Sequence, residues 1–175
     1  MSGPRRILLT GFMGAGKTTV ARALARRLGC AAVSLDELVT RLEGRTPQAL
    51  IDDEGEDYFR DAETRALRRA LELEPARVID TGGGAWALAR NRALAAAHDC
   101  LTVWLDAPFD LCWQRINAEA GGARRPLARD RERAARLYEQ RLDAYRLAAL
   151  RVRVTPGRDA EALAGEIARA ARAEA

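Results

Sequence analysis

A chain of 175 residues with 48% hydrophobic and 31% charged side chains has the composition of a single soluble globular domain. Its net charge of +4 comes from arginines interleaved with aspartates and glutamates, which argues against nucleic acid as a partner. No apolar run approaches the roughly 20 residues that span a bilayer, so we expect no membrane segment. The polar, basic N-terminus lacks the apolar stretch of a signal peptide, and we therefore expect a cytoplasmic protein.

Short apolar runs alternate with amphipathic segments along the chain. Five runs are predicted to be strands: 7–10, 32–35, 78–81, 101–105 and 152–154. Helices are predicted directly after residue 17 and over about 36–43, 57–73 and 131–149. Strands that alternate with helices predict an α/β fold, in which helices cover both faces of a parallel sheet.

The segment between the first strand and the first helix matches the phosphate-binding pattern G-x-x-x-x-G-K-[ST] over residues 11–18. Lys17 is the only lysine among 29 lysine and arginine residues. A compact ammonium reaches into a phosphate nest where the broad guanidinium would collide. The pattern predicts a nucleoside triphosphate site formed by Gly14, Ala15, Gly16, Lys17, Thr18 and Thr19, with the Thr18 hydroxyl available to Mg²⁺.

Three further groups of residues follow later strands or lie on a helix. Asp36 follows the second strand, at the edge where α/β sheets bind ligands, and could accept a hydrogen bond from a substrate hydroxyl. The alternative is that Asp36 caps the following helix. Arg60 and Glu63 share a helix face, so Glu63 can hold the guanidinium toward a substrate carboxylate. The glycines at 82–84 allow close approach to a ligand, although a flexible turn is the alternative.

Taken in order, these motifs resemble shikimate kinase, a family of small P-loop kinases related to the nucleoside monophosphate kinases. The resemblance extends over about 5–170 and rests on 11–19, Asp36, 55–63, 82–84, 125–127 and the pattern Tyr138-x-x-Arg141-x-x-x-Tyr145. It implies one domain over 1–175 with a three-layer P-loop NTPase fold and a five-stranded parallel sheet in the order 2-3-1-4-5. It also implies a substrate-binding segment at about 34–63, a mobile lid at about 117–130 and an adenine loop at about 155–159.

The same resemblance implies an activity and a set of residue roles. The expected reaction is phosphorylation of the 3-hydroxyl of shikimate by ATP with Mg²⁺, a step of chorismate and aromatic amino-acid biosynthesis, in a monomer. The catalytic residues would be Lys17, Asp36 and Arg125, and the shikimate contacts would be Asp36, Arg60, Gly82, Gly83, Gly84 and Arg141. Arg115 would stack on adenine, Arg125 would close with the lid over the phosphates, and Arg158 would flank the base.

The chain departs from the family pattern at the expected metal and acceptor sites. The family usually has Asp-x-Asp on the second strand, whereas this chain has Ser34 in place of the first aspartate. Asp80, which follows two apolar residues beside the P-loop, has the placement of a Walker B carboxylate, and we predict that it supplies the missing Mg²⁺ contact. The alternative is that Asp80 binds local backbone N–H groups. Pro47 and Ile51 also depart from the pattern and would alter the acceptor pocket.

Two other functions stay open at this point. Another P-loop kinase, for example one acting on gluconate, would also bind a carboxylate with Arg60 and Arg141. A ligand-sensing domain without catalysis would tolerate changes such as Ser34, although retention of Lys17 and Asp36 favours an active kinase.

Overall fold

The structure is a computed structural model that describes residues 5–72, 75–119 and 130–173. Within these ranges the chain forms five strands, eight α-helices and one short 3₁₀ helix. Their bounds are β1 Ile7–Thr10, α1 Lys17–Leu28, β2 Ala32–Ser34, α2 Leu35–Glu43, α3 Pro47–Glu54, α4 Glu56–Glu72, β3 Val78–Asp80, the 3₁₀ helix Ala85–Ala87, α5 Ala89–Ala97, β4 Leu101–Asp106, α6 Phe109–Glu119, α7 Arg131–Tyr145, β5 Leu150–Arg153 and α8 Ala160–Ala173.

The five strands form one parallel sheet in the order β2-β3-β1-β4-β5, which confirms the predicted topology. Every residue of the central strand β1 is buried. A strand that is buried on both faces requires helices above and below the sheet, and its apolar sequence is typical of that position. None of the helices in the described ranges has the length and apolar character needed to cross a lipid bilayer.

The parallel arrangement decides where the functional residues meet. The carboxyl ends of β1, β2 and β3 lie next to one another, because Leu9 pairs with Asp80 and Asp80 pairs with Ser34. The P-loop therefore leaves the sheet beside Asp36 and beside the triple glycine at 82–84. This is the edge at which open α/β sheets bind their ligands.

Several predicted boundaries were wrong by a few residues. The last strand begins at Leu150 rather than 152, and the preceding helix ends at Tyr145 rather than 149. Tight turn hydrogen bonds close that helix, and the Ala149 N–H then donates to the Thr102 hydroxyl at 2.9 Å. The chain must turn here to align β5 with β4, so tertiary pairing overrides the helical pattern.

Four helices were not predicted: α3, α5, α6 and α8. Helix α3 begins at Pro47, where the Thr46 side chain accepts a hydrogen bond from the Ala49 N–H at 3.2 Å. A cap followed by proline in the first turn is a typical helix start. Pro47 therefore has a structural role at the beginning of α3.

We predict that the stability of the fold depends on the central strand. Leu8→Ala in β1, where the side chain is 0% exposed, should lower the free energy of unfolding by about 2–5 kcal/mol, because it removes buried contacts and leaves a cavity. Leu42→Ala in α2, where the side chain is 47% exposed, is the matched control and should change it by about 0.5 kcal/mol or less. Urea denaturation measures both, and equal losses would contradict the assignment of the core.

Candidate active site

The P-loop curls because its glycines adopt backbone angles that other residues avoid. Gly14 has φ +78°, and a Cβ placed there would lie 2.5 Å from the Cys112 carbonyl oxygen. Lys17 folds back over the loop, and its Nζ donates to the carbonyls of Gly11 at 2.9 Å and Phe12 at 3.1 Å. Burial lowers the pKa of Lys17, whereas the carboxylates of Asp80 and Asp36 oppose that shift. The ammonium is thus positioned at the mouth of the loop among acidic groups.

Arg115 reaches the same loop from helix α6. Its Nη1 donates to the carbonyl oxygens of Gly14 at 3.3 Å and Ala15 at 3.2 Å. These contacts place the guanidinium beside the nucleotide-binding loop. The stacking of Arg115 on adenine stays a prediction.

Asp80 lies at the end of β3, where it is 6% exposed and faces the start of helix α1. The Thr18 hydroxyl donates to Asp80 Oδ2 at 2.6 Å. Burial raises the pKa of Asp80, and the nearby Lys17 ammonium opposes that shift. Residues paired across parallel strands point to the same face, so Asp80 and Ser34 face the same side of the sheet. The carboxylate thus stands one strand closer to the P-loop than a side chain at position 34.

Ser34 has a different role from the one expected of an aspartate in this family. Its hydroxyl accepts from the Glu37 N–H at 3.5 Å and serves as the N-cap of helix α2. The alternative assignment of Asp36 as the helix cap is therefore wrong, because Asp36 already lies in the first turn. Its Oδ1 lies beside Gly82, at the end of the sheet.

Acidic and basic side chains from three helices converge on the triple glycine. A Cβ on Gly82 would lie 3.0 Å from Asp36 Oδ1 and 2.9 Å from Glu63 Oε1. A Cβ on Gly83 would lie 3.3 Å from Arg141 Nη1, and one on Gly84 would lie 2.5 Å from Arg60 Nη1. Glycine at these positions lets the side chains lie directly against the backbone, and a Cβ at 82 or 84 would displace their ends; the flexible-turn alternative does not explain this packing.

Arg60 is held from two sides on helix α4. Its Nη1 donates to Glu63 Oε2 at 2.5 Å and its Nη2 donates to Glu56 Oε1 at 3.0 Å. Glu63 is 1% exposed, and burial raises its pKa, whereas the Arg60 guanidinium opposes the shift. The predicted pairing of Arg60 with Glu63 is confirmed, and it fixes the guanidinium beside Gly84.

Arg141 approaches from helix α7, with its guanidinium carbon 6.0 Å from the centroid of the Phe12 ring. One turn later, the Tyr145 hydroxyl donates to the Gly83 carbonyl at 2.6 Å. The i, i+4 spacing signals that Arg141 and Tyr145 share a helix face. The bond from Tyr145 to Gly83 has no signal in the sequence, and we did not predict it.

The remaining predicted site residues lie on other elements or outside the described residues. The hydrogen bonds of Arg158 run to the Arg153 carbonyl at 2.7 Å and to Glu166 Oε2 at 2.5 Å, beside the edge strand β5. Thr19 is exposed on helix α1, and Ile51 packs partly buried against the core. Arg125 and the segment 120–129 of the expected lid lie outside the described residues.

Comparison with known proteins shows the family to which this chain is similar. The family model for shikimate kinase matches residues 13–172. A shikimate kinase from Geobacter sulfurreducens is 39% identical over 167 residues, covering 94% of this chain and 89% of the relative. One from Persephonella marina is 34% identical over 164 residues, covering 93% and 96%.

A solved structure shows the same fold. Shikimate kinase from Acinetobacter baumannii, determined in complex with shikimate, superposes with a TM-score of 0.86 at 32% identity, covering 97% of this chain and 94% of that one. The predicted P-loop fold is thereby confirmed. The chain belongs to the shikimate kinase family and is a kinase.

Proposed function

We propose that this enzyme transfers the γ-phosphoryl group of ATP to the 3-hydroxyl of shikimate, giving shikimate 3-phosphate and ADP. The observation that carries the proposal is the convergence of Asp36, Arg60 and Arg141 on the triple glycine beside Lys17. Shikimate presents one carboxylate and three ring hydroxyls. A pair of guanidinium groups and one carboxylate are the side chains that bind such an acceptor.

The two arginines would clamp the shikimate carboxylate. Arg60 is fixed by Glu63 and Glu56, and Arg141 lies against Gly83 and Phe12. Guanidinium groups that are already held lose little freedom on binding, and they recognise carboxylates through paired hydrogen bonds. The ring hydroxyls would then lie over Gly82 and Gly83, where no side chain intervenes.

Asp36 would accept a hydrogen bond from the attacking hydroxyl. Its Oδ1 lies at the Gly82 end of the triple glycine, away from the guanidinium of Arg60 at Gly84. This separation lets one end of shikimate bind the arginines while the other presents its hydroxyl to the carboxylate. In phosphoryl transfer, such a carboxylate orients the nucleophile and takes its proton as the reaction proceeds.

Lys17 and the P-loop N–H groups would hold the phosphates of ATP. Arg115 beside the loop would stack on adenine, and Arg158 near the end of β5 would flank the base. Arg125, which lies outside the described residues, would add positive charge to the transferring group. Loss of a single contact of this kind typically costs about 10²–10³ in rate.

The residues at the end of β3 fit a magnesium ion. Thr18 and Asp80 place a hydroxyl and a carboxylate in direct contact at 2.6 Å, and oxygen donors are those that Mg²⁺ prefers. Within the described ranges no cluster of three or more His, Cys, Asp or Glu could hold a metal alone. Kinase magnesium needs no such cluster, because one or two carboxylates act together with the phosphates. When bound, the ion would neutralise charge on the nucleotide.

The pathway, the cellular compartment and the oligomeric state follow from the same assignment. A kinase for shikimate serves the pathway to chorismate and the aromatic amino acids. We propose that the enzyme acts in the cytoplasm as a monomer on its two small substrates, without nucleic acid or membrane. Each chain carries Lys17, Asp36, Arg60 and Arg141 in its own site, which supports a monomer as the functional unit.

The acceptor is tested by measuring ADP release from Mg-ATP with shikimate, gluconate or quinate. We expect turnover to depend on shikimate and to fall by at least about 10²-fold in Lys17→Met and in Asp36→Asn, because each change removes a charge from the reacting groups. Asp99→Asn, which alters an exposed carboxylate in the turn before β4, is the control and should keep full activity. Turnover with gluconate in preference to shikimate, or none with any acceptor, would contradict the proposed function.

The role of Asp80 is tested by titrating Mg²⁺. Asp80→Ala should raise the Mg²⁺ concentration for half-maximal activity about tenfold, because it removes the carboxylate that holds Thr18. Adding Ser34→Asp to that variant should lower the requirement again, because an aspartate also caps a helix and restores the carboxylate usual in the family. An Mg²⁺ requirement that Asp80→Ala leaves unchanged would show that Asp80 serves the fold alone.

The need for glycine at position 84 can be tested by adding one methyl group. Gly84 has φ −102°, which any residue adopts, so Gly84→Ala acts through contact with the Arg60 guanidinium at 2.5 Å. We expect the KM for shikimate to rise about tenfold while the KM for ATP stays within about twofold, because only the clamp is displaced. Gly165→Ala in α8, where a Cβ meets nothing closer than 3.6 Å, is the matched control. Equal shifts in both KM values would contradict this account.

A further inference from the structure

Tyr145 is a completely buried tyrosine at the end of helix α7, and the proposed mechanism leaves it without a role. Its ring stacks on Trp104 with centroids 6.0 Å apart, and its hydroxyl donates to the Gly83 carbonyl at 2.6 Å. Burial raises the pKa of Tyr145 to about 12, so the hydroxyl stays protonated and remains a donor at neutral pH.

The hydrogen bond from Tyr145 fixes the orientation of a peptide unit in the acceptor site. The carbonyl of Gly83 and the N–H of Gly84 belong to one planar trans peptide, so they point in opposite directions. The neighbouring carbonyls are also held, because Gly82 accepts from the Ala85 N–H at 3.2 Å and Gly84 accepts from the Ala87 N–H at 3.1 Å. Tyr145 thus fixes the one peptide of the triple glycine that local turn hydrogen bonds do not hold.

The same hydroxyl is close to a substrate-binding side chain. Arg141 lies one helical turn before Tyr145 and interacts electrostatically with the phenol group. Arg141 Nη1 also lies 3.3 Å from where a Cβ of Gly83 would be. A single hydroxyl therefore connects the backbone of the triple glycine to the guanidinium beside it.

A second hydrogen bond joins the end of α7 to the segment that follows β3. The Trp86 indole N–H donates to the Ala144 carbonyl at 2.9 Å. Consecutive residues at the end of α7, Ala144 and Tyr145, therefore hold both sides of the segment from Gly83 to Trp86. The helix that carries Arg141 and the loop that contacts the acceptor form one unit.

We propose that Tyr145 is a positioning residue for the acceptor, whose hydroxyl sets the Gly83–Gly84 peptide and the Arg141 guanidinium in register for shikimate. The inference rests on the proposed function, because it assigns this peptide and this arginine to the acceptor. It predicts a selective effect, since within the described ranges Tyr145 contacts Gly83, Trp104 and Arg141 rather than the P-loop lysine or the Thr18–Asp80 pair.

The test compares two tyrosines on the same helix. Tyr145→Phe keeps the ring against Trp104 and removes only the hydroxyl. Tyr138→Phe is the matched control, because it removes a hydroxyl that likewise donates to a backbone carbonyl, that of Ala107 at 3.0 Å. Steady-state kinetics with each substrate varied in turn, calorimetric titration with shikimate and thermal unfolding are measured for wild type and both variants.

We expect Tyr145→Phe to raise the KM and the dissociation constant for shikimate about tenfold, as loss of one buried hydrogen bond does. The KM for ATP should stay within about twofold, and Tyr138→Phe should leave the values for shikimate within about twofold. Similar melting temperatures for the two variants would show that lost stability does not explain the difference.

Other outcomes would overturn the inference. An unchanged shikimate affinity in Tyr145→Phe would show that the hydroxyl only fills a buried position. Equal rises in the KM for ATP and for shikimate would show general loosening of the fold. If the wild-type enzyme turns over shikimate in the same experiment, either result refutes the proposed role of Tyr145 and leaves the proposed function standing. If the wild type neither binds nor phosphorylates shikimate, the proposed function fails and this inference fails with it.

Discussion

The site depends on the close approach of charged side chains to the backbone of residues 82–84, which glycine permits without displacing them. Side chains from helices α2, α4 and α7 approach this backbone so closely that even a methyl group would meet Asp36, Glu63, Arg141 or Arg60 within 2.5–3.3 Å. Because the backbone itself lines the site, charges from separate helices can gather around a small acceptor. The parallel sheet then sets this glycine segment beside the P-loop, since β3 pairs directly with β1.

The second organising feature is the balance of charge around the acceptor and the phosphates. Arg60 carries its own buried partner in Glu63, so its guanidinium is neutralised and held before any substrate arrives. The Lys17 ammonium is held by the carbonyls of Gly11 and Phe12 and lies within the electrostatic influence of Asp80 and Asp36. A charge that is already paired inside the fold loses less on desolvation, and it needs little rearrangement when an anionic ligand binds.

Position 34 is where this chain departs from the usual family pattern, and the carboxylate nearest to Thr18 lies on the adjacent strand. Serine serves as the cap of helix α2, while Asp80 on the adjacent strand holds Thr18. The paired register sets both side chains on one face of the sheet, and Asp80, on the strand next to β1, is the one that contacts the start of α1.

Spacing within short segments was sufficient to predict the phosphate loop and the pairing of Arg60 with Glu63, whereas the strand order followed from the resemblance of the combined motifs to a known family. Helices α3, α5, α6 and α8 were not predicted, although Thr46 and Pro47 give a local signal for the start of α3. The ends of α7 and β5 and the capping role of Ser34 were not predicted either, since these depend on how segments meet. The bond from Tyr145 to Gly83 joins residues 62 apart, and no periodicity records such a contact. Local chemistry thus determined which residues this protein uses, whereas only the packing of separate elements decided which backbone groups those residues hold in place.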